Sequence, residues 1–275
     1  MERAVPWVVI DAAKGGSAVN LRELWHYRDL LYFLTWRDIT VRYKQTALGV
    51  LWAILQPLLS MVVFTIFLGR LAGVPSDGVP YPIFSYLGLL PWMYFSGAVT
   101  RSGASVVGSA NLLTRVYFPR VLVPLSATLS ALVDFVFAFA VLGGLMGWYG
   151  IRPALSVVLL VPLAALTAVA ATGVGMWLAA LNVRYRDVQY AIPFLMQLWM
   201  FVTPVVYPTS IVPERWRPLF ALNPMTGIIE AYRAAVLGRS LDWGTLGVSA
   251  LSAVLLGAVG AWQFHRMERT FADVV

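Results

Sequence analysis

The sequence predicts an all-α integral membrane protein with six transmembrane helices, and three observations carry that prediction. Of its 275 residues, 60% are hydrophobic and 12% charged, whereas soluble domains carry roughly 45–50% and 25%. The apolar residues gather in blocks near the about 20 residues that a helix needs to cross a bilayer. The basic residues are unevenly shared between the connections: of 20 Lys and Arg, 14 fall on the side of the N-terminus and 6 on the other. That bias predicts both termini in the cytoplasm, which an even number of spans allows.

The chain divides into a cytoplasmic N-terminal segment, 1–48, and a transmembrane domain, 49–275. The apolar run Val5–Ile10 is too short for the core of a secretory signal and is followed by Asp11 and Lys14, so the first true span is expected to direct insertion. From Arg22 to Lys44, basic residues interleave with Trp25, Tyr27, Tyr32, Phe33, Trp36 and Tyr43. This mixture predicts an amphipathic helix lying at the membrane surface. The spans are expected at about 49–69, 81–99, 121–149, 154–181, 189–207 and 245–264. Pro57, Pro91, Pro124, Pro162, Pro193 and Pro204 fall within them, each removing a backbone donor and offering a kink.

The connection at 208–244 is the least ordinary. Pro213 starts one short helix, and Asn223-Pro224 reads as an N-cap followed by proline at the first helical position. Gly238 supplies the stop. The helix between them would be about 21 Å long, too short for a ~30 Å hydrocarbon core. Its stripe of Met225, Ile228, Ile229, Tyr232, Ala235 and Val236 is apolar nonetheless. A pair of short re-entrant helices before the last span is the expected arrangement.

Composition also excludes. The net charge of +7 reads as orientation and contact with anionic lipid rather than nucleic acid. There is no cysteine, and His26 and His265 stand far apart, so no metal site is expected. No phosphate loop of the form G-x-x-x-x-G-K-[ST] is present, so the chain lacks the cradle to hydrolyse ATP itself. Nor does it contain H-E-x-x-H, G-x-S-x-G or an EF-hand loop. Glu214, Glu230 and Asp242 lie scattered among arginines and read as ion-pair formers rather than an enzyme's acids. Asp134 stands alone in the third span, where a charge is costly. It is either a buried acid bonded to hydroxyls such as Ser130 or the proton site of a secondary transporter. The connection at 100–120 ends in NLLTRVYFPR. There a short helix at Asn111–Tyr117, with Arg115 and Arg120 flanking Val116, Tyr117 and Phe118, fits a protein-docking surface and a membrane-hugging turn equally.

Several ordered segments resemble one family. They are RDITVRYKQT followed by LGVLWAILQPLLSMVVFTIFLG, then VYFPRVLVPLS, LNVRYRDVQYAIPFLMQLWMFVTPVVYP and LNPMTGIIEAYRAAVLG. Together they look like type-2 ABC exporter permeases, closest to the bacterial polysaccharide-export branch for O-antigen, capsule or teichoic acid, over about 21–275. The resemblance implies a homodimeric inner-membrane permease bound to two copies of a separate ATPase, which would hold ATP and Mg; no cofactor belongs to this chain. The cargo would be a polysaccharide on a polyprenyl diphosphate. Arg28–Lys44 would be the interface helix. Asn111, Leu112, Arg115, Tyr117, Phe118 and Arg120, with Arg37, would couple to the ATPase. Asn223, Pro224, Ile228, Tyr232 and Arg233 would form an outer gate. Trp52, Trp92, Tyr94, Trp199, Phe201 and Tyr207 would line a sugar channel, although interfacial aromatic belts give the same pattern. Arg42, Lys44 and Arg120 would hold the lipid diphosphate. A drug or small-lipid exporter of the same superfamily, a proton-coupled transporter using Asp134 and a membrane-embedded glycan enzyme are the alternatives.

Overall fold

A computed structural model describes residues 21–44, 49–152, 154–268 and 271. Residues 1–20 and 45–48 of the expected N-terminal segment, and with them Arg3 and Lys14 of the charge asymmetry, lie outside it, as does Arg269. The described residues hold helices and no strand, as the composition predicts.

The N-terminal helix comes in two pieces, α1 (Leu21–His26) and α2 (Arg28–Lys44). On one face Leu24, Tyr27, Leu30, Leu31 and Leu34 pack against Phe118, Leu122 and Val123. Tyr32, Phe33 and Trp36 point away and are exposed. An aromatic face of this kind suits the headgroup layer.

Among the described residues, four helical stretches are long and apolar enough to cross a bilayer: Leu51–Leu71, Leu122–Trp148, Leu155–Arg184 and Trp243–Glu268. They contain α3 (Leu51–Phe64, continued by a π-helical stretch to Leu71), α6 (Leu122–Trp148), α7 (Leu160–Arg184) and α11 (Trp243–Glu268). The expected second span is α4 (Tyr81–Gly108), whose 28 residues span about 42 Å. It includes Arg101, which the sequence reading placed in a connection. This helix carries tyrosines, serines and an arginine because it is the hub of the bundle. It packs on α7, α6, α10 (Pro224–Leu237), α3 and α8 (Val188–Val202), and little of it would meet lipid.

The expected fifth span, 189–207, is shorter than anticipated. α8 has 15 residues, about 22 Å. It stops because Thr203 precedes Pro204 and is pushed to extended backbone, φ −101° and ψ 138°. Pro124 and Pro162 sit in the first turns of α6 and α7, where no intrahelical donor is needed; of the six prolines only Pro57, Pro91 and Pro193 lie inside helices.

Small residues let α7 and α11 touch backbone to backbone. A Cβ on Gly173 would collide with the backbone of Gly257, and one on Gly260 with the Gly173 carbonyl. Close crossings of this kind gain van der Waals contact where lipid supplies no hydrophobic drive.

The short helices before α11 form as expected. After α9 (Arg217–Ala221), the Asn223 side chain accepts a hydrogen bond from the Met225 amide at 3.1 Å and caps α10. Gly238 ends α10 in the left-handed region at φ 67°. The apolar stripe of α10 is wholly buried. The Tyr232 ring meets Phe135, halfway along α6, at 6.2 Å between centroids. The helix therefore dips into the bundle and does not cap its surface.

Candidate functional site

A cavity of about 850 Å3 opens between α3, α4, α6 and α8. Trp52, Trp92, Tyr94 and Phe135 give it aromatic walls, and Gln56, Ser60, Ser96, Thr100 and Gln197 add amides and hydroxyls. Ring faces stack on the apolar faces of sugars while amides and hydroxyls exchange hydrogen bonds with their hydroxyl groups. The sequence reading missed these polar residues, although two amides inside apolar spans are a visible signal.

Arg42, Tyr43, Arg101 and Asp134 also line the cavity. Arg42 Nη1 donates to Asp134 Oδ2 at 2.7 Å and Arg101 Nη1 to the same oxygen at 3.1 Å. The Tyr43 hydroxyl donates to Oδ1. Asp134 is therefore not alone, as expected from sequence, but joins three helices. Ser130 bonds Arg42 Nη2 at 3.3 Å instead of the acid. Burial pushes the Tyr43 hydroxyl up to about 12, with Asp134 adding to the rise, so it remains a donor at neutral pH. One carboxylate oxygen thus serves two guanidinium groups at once, the arrangement of a structural ion-pair cluster.

The aromatic residues singled out by sequence separate into two groups. Trp52, Trp92 and Tyr94 line the cavity. Trp199 instead ties α8 to α10: its Nε1 donates to Asn223 Oδ1 at 3.1 Å, and Asn223 Nδ2 donates to Thr203 at 2.8 Å. Phe201 points outward, 54% exposed, and its carbonyl accepts from the Tyr207 hydroxyl at 2.9 Å.

Within α10, Ile228 and Tyr232 are buried. Arg233 is 4% exposed and lies 3.8 Å over the Phe84 ring. Its Nη2 donates to the Val205 carbonyl at 2.6 Å and its Nη1 to Glu230 at 3.0 Å. Only glycine fits at position 88, since a Cβ there would strike both the Val205 carbonyl and Arg233. This one guanidinium thus joins α10, α4 and the turn after α8.

At the opposite end of the bundle, α5 (Ala110–Arg115) links α4 to α6. Asn111, Arg115, Val116 and Tyr117 are exposed and Leu112 is half-buried. Phe118, expected among the exposed knobs, is buried against Leu34 and Leu122; α2 covers it. Arg37 pairs with Asp38 at 2.8 Å, whose other oxygen accepts from Ser126 at 3.3 Å. Arg120 donates to the Glu268 carbonyl and lies 6.0 Å from the Phe271 ring. Of the three cations expected to hold a diphosphate, Arg42 and Arg120 thus already bind the protein itself, and Lys44 is exposed at the end of α2.

A helical bundle with several stretches long and apolar enough to cross a bilayer and a polar, aromatic cavity between its helices has the frame of a multi-pass membrane protein. The chain belongs to the ABC-2 type transporter family, whose model matches residues 29–237. It is 34% identical over 260 residues to an O-antigen export system permease protein RfbA of Myxococcus xanthus, covering 93% of this chain and 98% of that protein. A protein of the same description from Klebsiella pneumoniae is 30% identical over 250 residues, covering 90% and 95%. The polysialic acid transport protein KpsM of Escherichia coli is 25% identical over 214 residues, covering 76% and 81%.

Proposed function

We propose that this chain is the membrane-spanning permease subunit of an ATP-driven exporter that carries a lipid-linked polysaccharide out across the bacterial inner membrane. The observation that carries this reading is near-end-to-end similarity to O-antigen export permeases. The cavity supports it, because aromatic faces with amides and hydroxyls suit a neutral glycan better than an apolar drug or lipid.

Six spans with both termini inside are part of the proposal, counting α4 and α8 with the four long apolar stretches. Two copies of the chain assemble, each bound to an ATPase subunit that supplies ATP hydrolysis. The ATPase docks on α5, with Arg115 and Tyr117 as contacts and Arg37 nearby. α10 serves as the outer gate. Lys44 is the diphosphate-facing cation that the site leaves most accessible.

Gentle purification from native membranes, followed by mass spectrometry, tests the motor. A stoichiometric subunit bearing a phosphate loop is expected, and Arg115→Glu with Tyr117→Ala should release it while leaving the permease folded. Recovery of the permease without such a subunit would overturn the proposal.

A further inference from the structure

A second pocket, about 290 Å3, lies at the end of the bundle away from α5. Four segments build it. The turn at 76–79 contributes Asp77, held at φ 49° beside Gly78 at φ 78°. The 209–217 segment brings Thr209, Ser210 and Arg217; α10 brings Thr226 and Glu230 from one face; Asp242 and Thr245 come from the start of α11.

Hydrogen bonds lock the rim. Ser210 donates to Asp77 Oδ1 at 3.0 Å. The Thr245 hydroxyl donates to Asp242 Oδ2 at 2.6 Å and its amide to Oδ1 at 3.1 Å. Arg233 donates to Glu230 Oε1 from beneath, and Arg217 Nε donates to the Val212 carbonyl at 3.1 Å. One lining group stands apart. Thr226 is 1% exposed, and its hydroxyl has no hydrogen-bond partner among the described residues. That oxygen is closed off from the pocket's interior, so the groups a ligand can reach are the carboxylates, hydroxyls and guanidinium of the rim.

The lining chooses the ligand chemistry. A cation could use the carboxylates but not Arg217, and an anion the reverse. Among the described residues, no three acids lie close enough to hold a metal ion. A hydroxyl both donates and accepts, so it can use carboxylates, threonines and a guanidinium together. The volume sits at the floor of the ~300–1,000 Å3 range of ligand pockets, room for a sugar ring and not for a chain of them.

We propose that this pocket binds the hydroxyl groups of a single sugar residue at the outer end of the protein. Its outward position rests on the exporter reading above; there it would hold the emerging glycan beside α10.

The chain has no cysteine, so Ser210→Cys places a lone thiol on the exposed rim. In membranes carrying the full chain with its native partners, the rate of maleimide labelling is followed with methyl α-glucoside, methyl α-galactoside or methyl α-mannoside at high millimolar concentration. Calcium chloride and glycine betaine are run alongside. At least one glycoside is expected to slow labelling threefold or more, betaine not at all. Adding Arg217→Met, which removes a guanidinium that lines the pocket, should abolish that protection, with the unprotected rate of the same variant as its reference. Absence of protection by every glycoside, protection that survives Arg217→Met, or stronger protection by calcium would each overturn the proposal. Surface polysaccharide is scored separately: protection without export would contradict the exporter reading and leave the pocket standing, and export without protection the reverse.

Discussion

Asp134→Asn is expected to free α2 from the bundle and to lower stability by about 2–3 kcal/mol. The amide can keep the Tyr43 bond, but it removes the carboxylate charge that both Arg42 and Arg101 bind. Breaking a fully buried pair costs about 3–5 kcal/mol; these side chains are 25–31% exposed, which moves the expectation below that range. Replacing Asp134 by Leu together with both Arg42 and Arg101 by Met should cost less than the single change, because removing the acid with both of its guanidinium partners strands no charge of the cluster. The melting temperature of the solubilised protein and the rate of tryptic release of the fragment ending at Lys44 report the two effects. Unchanged melting and proteolysis would mean that the cluster does not fasten α2. A fully stable Asp134→Asn protein that had lost a response to the proton gradient would assign the acid to proton coupling instead.

Gly173→Leu is expected to disrupt the α7–α11 crossing by about 3 kcal/mol or more, at the upper end of overpacking costs. The side chain would have to occupy the space of the α11 backbone at Gly257, and a helix backbone cannot move aside as a flexible side chain can. Gly143→Leu provides the matched control, since a Cβ on Gly143 meets nothing within 4 Å. That variant should melt like the parent. If Gly173→Leu also melted like the parent, the close crossing would contribute nothing to stability.

Local signals were fully legible where the chain carries its own punctuation. Asn223, Pro224 and Gly238 fixed both ends of α10 because a side-chain cap, a fixed φ and a left-handed stop are all encoded within one or two residues of the boundary. The long apolar blocks fixed α3, α6, α7 and α11 for the same kind of reason. Burial between distant segments was not legible. Asp134 looked solitary because its partners lie 33 and 92 residues away along the chain. Phe118 looked exposed because α2, which covers it, is some 80 residues earlier. Trp199 looked like a channel wall until α10 brought Asn223 to its indole nitrogen. The length of α8 was overestimated, although Thr203-Pro204 carried the stop signal, because apolarity continues past the point where the backbone can no longer be helical.

The most direct test of the central claim is a deletion of this gene in its native host, with surface polysaccharide and membrane-extracted lipid-linked glycan measured together. Loss of the polymer from the surface, with lipid-linked polymer accumulating on the cytoplasmic side and both reversed by the wild-type chain, is the expected result. Normal surface polymer with no internal accumulation would contradict the exporter assignment.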